Sequence, residues 1–212
     1  AVQRTAQTAG RSLSDMAASK ISSELGHDPL LIAIYRDPSK PPIAGRVIEE
    51  FIDDNLQSVA KESGDYVATD YRMALRALAT QMLLRRILNP RWSLLRKWSG
   101  LGEADLKCIG HLVNDGQVLY LGGTSDRQAI AYRHDRIRDW ILSDAVADMA
   151  DAGTLPTEIL QEPYYAQVLG VAAASRSTDT QFMACLRSHN PLALFYAYRQ
   201  LPEDPKDGRG GL

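Results

Sequence analysis

Ala129-Ile130-Ala131-Tyr132-Arg133-His134-Asp135-Arg136-Ile137-Arg138-Asp139-Trp140-Ile141 reads as a strand that runs straight into a helix, with a histidine–aspartate pair at the junction. The strand half alternates apolar with small or polar residues, as a half-buried strand does. The helix half spaces Ile137, Ile141 and Ala145 four residues apart, with Trp140 beside them, the stripe of a packed helix. Asp135 is placed to cap the helix or to sit in its first turn, where a carboxylate suits the positive end of the dipole. His134 is thereby held at a rigid junction, either as a packing and capping residue or as a group that touches a bound anion.

Upstream, Glu103 to Asn114 predicts a helix with Leu106, Ile109, Leu112 and Val113 apolar, and Asp115-Gly116 turns the chain. Gln117 to Leu121 predicts a strand, Gly122 to Asp126 a loop, and Gln128 to Tyr132 the returning strand. A helix, a hairpin and a further helix, preceded by other helices, describe a winged-helix domain. Gly122-Gly123-Thr124 is then a wing loop and not a phosphate cradle, because no helix opens directly after it.

Before this unit the periodicity is helical. Ser12 or Ser14 can cap a helix through Met16, Ala17, Ile21 and Leu25, stopped by Gly26. Asp28-Pro29 starts a short second helix, and the run from Pro38 to Pro42 breaks the pattern. Val47, Ile48, Phe51, Ile52, Leu56 and Val59 mark a long helix ended by Ser63-Gly64. Tyr71, Leu75, Leu78, Met82 and Leu83-Leu84 mark another, closed by Asn89-Pro90, with a short helix at Leu94, Leu95 and Trp98 after it. Beyond Asp151, Pro156-Thr157, Tyr164–Ser175, Gln181–Ser188 and Leu192–Gln200 predict short helices separated by breakers, which is repeat-like although no repeat period is evident. The fold class expected is therefore mainly α: a small helical segment over residues 1–42, a winged-helix domain with its preceding helices over 43–152, a helical repeat-like segment over 153–204, and a flexible tail over 205–212.

Composition sets limits. Hydrophobic residues at 45% and charged residues at 24% suit a folded globular chain, and a net charge of -2 gives no global pull toward nucleic acid or an anionic membrane. Cys108 and Cys185 have no metal-ligand spacing and read as reduced thiols of a cytoplasmic protein. No apolar run approaches the roughly 20 residues a membrane helix needs. The chain begins at Ala1 within helix-like sequence, so a piece of a longer protein is expected.

Two motifs now line up: Leu25-Gly26-His27-Asp28-Pro29-Leu30-Leu31-Ile32, and Tyr132-Arg133-His134-Asp135-Arg136-Ile137-Arg138-Asp139. In this order they resemble the back half of the nucleotide module of STAND ATPases, which include NB-ARC and NACHT proteins and bacterial antiviral sensors. The resemblance implies a helical lid whose proline abuts adenine, here Pro29, supported by Gly26. It implies a winged helix whose histidine reaches the nucleotide β-phosphate, here His134, supported by Asp135. Gly26 stands three residues before Pro29 where the NB-ARC pattern has two, and Arg133 stands where methionine is common. The resemblance further implies ADP or ATP bound in a parent protein, a P-loop domain as intimate partner, a homo-oligomer of that parent, a protein ligand for the helical repeats, and a part in defence or signalling. The chain itself has no G-x-x-x-x-G-K-[ST] and no strand ending in paired acids for Mg²⁺. It is thus expected to be no enzyme alone, to bind no cofactor in isolation, and to sense nucleotide rather than hydrolyse it.

Two other readings belong to different classes. One is a DNA-binding winged-helix regulator, disfavoured by Glu103, Asp105 and Asp115 on or beside the expected recognition helix. The other is a helical interaction scaffold. Arg85, Arg86, Arg91, Arg96 and Lys97, interleaved with Trp92 and Trp98, form either a nucleic-acid or partner surface or a solvated helix face. With the global charge near neutral, nucleic acid is not expected as a partner. His27, His111 and His189 are scattered, Ser175, Ser177 and His189 form no nucleophile constellation, and Tyr164, Tyr165, Phe195, Tyr196 and Tyr198 are expected to pack a repeat core.

Overall fold

The chain is mainly helical with one two-stranded antiparallel sheet. The computed structural model describes residues 14–124, 128–175 and 180–200. Ser12, Ser177 and the expected tail therefore lie outside the described residues, as does part of the wing loop. The chain divides into two compact units, 1–141 and 142–212.

In the first unit, α1 (Asp15–Glu24) is capped by Ser14, whose Oγ accepts from Ala17 N at 3.2 Å. It buries Ala18 and Ile21, while Met16 is 82% exposed. Met16 had been expected in the apolar stripe. It lies two residues, about 200° of helix, from Ala18 and so faces away. α2 (Pro29–Ile34) and the long α3 (Ala44–Ser63) follow, the latter ended by Gly64 at φ +68. α3 presents one apolar stripe, Val47 to Val59, against α2 and α4 (Ala68–Arg85).

α4 is buried at Tyr71, Ala74, Leu75, Leu78, Ala79, Met82 and Leu83, because α3 and the later α6 both pack on it. Leu84, paired with Leu83 in sequence, is exposed. The helix stops at Arg85, four residues before the expected Asn89-Pro90 boundary. Arg86 takes φ +55, Arg86 N donates to Leu83 O and Ile87 N donates to Met82 O, each at 3.0 Å. That bond pair is a Schellman closure, made here around an arginine in place of the usual glycine. α5 (Trp92–Leu95) and α6 (Glu103–Asp115) complete the helices before the sheet, and Gly116 at φ +74 makes the turn expected there.

β1 (Leu119–Gly122) pairs with β2 (Ala129–Tyr132), Leu119 opposite Tyr132 and Gly122 opposite Ala129. Val118, Leu119, Ile130 and Tyr132 turn inward. Arg91 makes an isolated bridge to Ala129, fixed by Ile130 N donating to Pro90 O at 2.9 Å and Trp92 N donating to Gln128 O at 3.1 Å. α7 (Asp135–Asp151) leaves β2 after two residues and buries Ile137 and Ile141. Gly45 lets it lie close to α3: a Cβ there would stand 2.7 Å from the Trp140 ring.

The second unit contains the rest of α7, α8 (Thr157–Gln161), a 3₁₀ turn (Pro163–Tyr165), α9 (Ala166–Ser175), α10 (Thr180–His189) and α11 (Pro191–Gln200). α9 is apolar on all sides and packs chiefly on α11. The buried Asn190 sits between α10 and α11 and donates from Nδ2 to Glu162 O at 3.2 Å. The aromatics expected in this core divide. Tyr165 is buried, but Tyr164, Phe195 and Tyr198 are exposed. α11 turns its small residues, Ala193 and Ala197, inward against Gly170, and that close approach leaves Phe195 and Tyr198 turned outward.

Candidate functional site: two helix starts joined by an ion pair

Each quoted motif builds a helix N-terminus. In the first, α1 ends with Gly26 and His27 both left-handed, at φ +63 and +56. Glycine adopts this conformation freely, whereas histidine does so at some cost. His27 Nδ1 lies 3.0 Å from Ser22 Oγ, which fixes the ring. The chain then reverses into Asp28, whose Oδ1 accepts from Leu30 N at 2.9 Å and from Leu31 N at 3.3 Å. Pro29 occupies the first helical position, exposed, where its missing N–H costs nothing.

In the second motif, His134 is the residue before α7, and its carbonyl accepts from Arg138 N at 3.0 Å. Its ring caps the helix as well, because Arg136 N donates to His134 Nδ1 at 3.3 Å. A ring whose Nδ1 accepts carries its hydrogen on Nε2 when neutral. His134 is exposed, so that Nε2–H is free to donate to a ligand. The capping role and the ligand role expected as alternatives therefore use different nitrogens. Asp135, also exposed, binds Arg138 at 2.8 Å. Arg138 reaches Asp139 too, at 2.8 Å. Burial pushes the Asp139 carboxyl up, against the pull of Arg138.

The two helix starts meet. Arg136 Nε lies 3.2 Å from Asp28 Oδ2, a half-buried ion pair between the motifs. Asp28 thus caps α2 with one oxygen and holds α7 with the other, and the pair brings the neighbourhoods of Pro29 and His134 together. Neither Asp28 nor Arg136 was expected from sequence as a site residue. The signal available was an opposite charge in each motif, but nothing in one sequence says which charges meet. Arg133, the departure from the NB-ARC pattern, is exposed with its guanidinium 6.0 Å from the Tyr120 ring. Tyr132, two residues before His134, is buried, and among the described residues its hydroxyl is the buried side-chain polar atom without a partner. Burial pushes its phenol up.

The remaining histidines have local partners. His111 Nδ1 lies 2.8 Å from Tyr71 Oη, which is also 2.7 Å from Ser63 Oγ, so His111 ties α6 to α4 and the end of α3. His189 Nδ1 lies 2.8 Å from Ser188 Oγ. Ser175 Oγ donates to Ala172 O at 2.8 Å, within its own helix. Cys108 is buried and free, and Cys185 is half-buried and free. Among the described residues no three of His, Cys, Asp or Glu converge to hold a metal, and no helix is long and apolar enough to cross a membrane.

The joined helix starts present the exposed His134 ring beside two carboxylates, Asp28 and Asp135, and among the described residues bring together no nucleophile with a base. Compared with known proteins, the chain matches no family model, no curated protein and no solved structure.

Proposed function

We propose that this chain is a nucleotide-sensing and signal-transmitting part of a STAND-type ATPase, a helical lid followed by a winged helix and the start of a helical sensor segment. The observation that carries the reading is the Asp28–Arg136 ion pair at 3.2 Å. Two motifs distant in sequence, to which one resemblance gives an adenine-side and a phosphate-side role, meet in the fold through charges that belong to them. The order of α4, the Arg91 bridge, α5, α6 and the hairpin agrees with a winged helix whose short first strand pairs with the last. His134 would donate from Nε2 to the β-phosphate of ADP, and Pro29 would face the base. The P-loop and Mg²⁺-binding acids would come from another domain, since this sequence contains neither. A ligand on the helical segment would shift the lid and winged helix from the ADP-holding state, freeing the ATPase to assemble.

A DNA-reading winged helix is the weaker reading, because the cation of α6, Lys107, lies 3.2 Å from Glu103 on the same helix. Such a helix offers phosphate little.

The test uses the chain joined to its P-loop domain. His134→Ala removes both the cap and the donor. His134→Asn keeps a capping oxygen and loses the Nε2–H. A charge-assisted bond to phosphate is worth roughly 1.5–3 kcal/mol, so both variants should release ADP about tenfold faster or more. Only His134→Ala should also lose about 1 kcal/mol of stability. Wild-type ADP release from His134→Asn refutes the phosphate role.

A further inference from the structure

Between Asp70 and Glu103 the sequence holds no acidic residue and seven basic ones. The chain's net charge of -2 therefore hides a strong segregation. Arg72 is taken up by Asp53 of α3. Arg85, Arg86, Arg91, Arg96 and Lys97 are all exposed, and none of the five pairs with a carboxylate among the described residues.

All five fall within thirteen residues, and the fold ties their two ends. The Arg85 guanidinium lies 5.2 Å from the Trp98 ring, which ties the end of α4 to the Arg96-Lys97 step after α5. The chain leaves α4 through the Schellman turn at Arg86, and the bridge to Ala129 fixes Arg91 beside the hairpin. Exposed Asn89 and Ser93 lie between the cations in sequence, and exposed Ser99 follows them.

We propose that the α4–α5 connection binds the sugar–phosphate backbone of nucleic acid without reading base sequence. Four of the five cations are arginines, whose planar forks match phosphate oxygens. Small amide and hydroxyl donors such as Asn89, Ser93 and Ser99 are the usual companions of such contacts. A lipid surface is the poorer match. Trp98 is buried and Trp92 half-buried, so neither ring stands free to enter a headgroup layer. The surface lies outside α6, so the proposal does not depend on a recognition helix or on nucleotide sensing.

The experiment measures anisotropy of a fluorescein-labelled 20-base-pair duplex with the 212-residue chain between about 50 and 200 mM KCl. Binding is expected to weaken steeply with salt and to be equal for two unrelated duplex sequences. The variant Arg91→Gln/Arg96→Gln/Lys97→Gln should bind at least tenfold more weakly at 50 mM KCl, with the log–log salt slope reduced by about 2–3. A control, Lys20→Gln/Lys61→Gln/Arg187→Gln, has the same net charge and should bind as wild type. Should the triple variant melt early, Arg96→Glu/Lys97→Glu on the exposed turn gives the same readout. No binding at 50 mM KCl, equal losses in test and control variants, or binding to phosphatidylserine vesicles but not to the duplex would each overturn the proposal.

Discussion

At the residue scale, neighbouring positions answer opposite demands. His134 satisfies a helix N–H with one nitrogen and leaves the other facing outward. Tyr132 buries its ring and leaves its hydroxyl without a partner. A buried, unsatisfied donor costs about 1–3 kcal/mol relative to an apolar group of the same shape. Tyr132→Phe deletes that hydroxyl and keeps the ring. It should raise stability by about 1 kcal/mol, read as a higher urea midpoint at unchanged slope. A fall in the midpoint would show that the hydroxyl is bonded. His27 makes a related point. The sequence shows a lone histidine, and only the backbone reveals that it holds a left-handed φ directly before the Asp28 cap.

At the element scale, α9 and α11 approach closely in the second unit. A Cβ on Gly170 would stand 2.6 Å from Ala193 O and 2.8 Å from Ala197 N, backbone atoms of α11 that no side-chain rotation can move. Gly170→Ala must therefore push α9 from α11. It should cost about 1–3 kcal/mol, although alanine is the better helix former by close to 1 kcal/mol. A thermal melt no lower than wild type would disprove this contact. The extent of the helices was legible where apolar spacing and breakers agreed: Ser63-Gly64 and Asp115-Gly116 both end helices as read, each with glycine in a left-handed cap. The end of α4 was not legible, because its closure uses a left-handed arginine, which no composition rule marks. The Arg91 bridge was hidden too, since one residue cannot show alternation. Phe195 and Tyr198 were misplaced because aromatic content says nothing about which face a Gly–Ala contact will claim. At the candidate site, both helix starts were readable from Asp-Pro and His-Asp, whereas their union through Asp28 and Arg136 is tertiary and left no local trace.

At the scale of the whole molecule, buried acids with pKa values pushed upward contribute to the alkaline response. Cys108 is pushed up to about 11, first by burial and then by Asp70 and Asp105. Burial likewise raises Tyr35, Tyr71 and Tyr132. Each group prefers its neutral form in the folded chain. Above the unfolded thiol value of 9.0 the unfolded chain begins to lose protons that the folded chain retains. Stability from Cys108 is therefore fully present below that value and is lost as pH rises through about 11. The tyrosines act in the same direction at higher pH. A shift of two pH units corresponds to about 2–3 kcal/mol, so the free energy of unfolding should fall steeply above pH 9. Cys108→Ala removes the thiol and leaves a small cavity, which lowers stability at every pH by a constant amount. The decisive quantity is thus the slope. Between pH 9 and 11, urea unfolding of wild type should lose about 2 kcal/mol more than that of Cys108→Ala, the two curves converging as the thiol ionises. Parallel curves over that range would show that the Cys108 thiol titrates alike in the folded and unfolded chain, and would place the alkaline sensitivity on other groups.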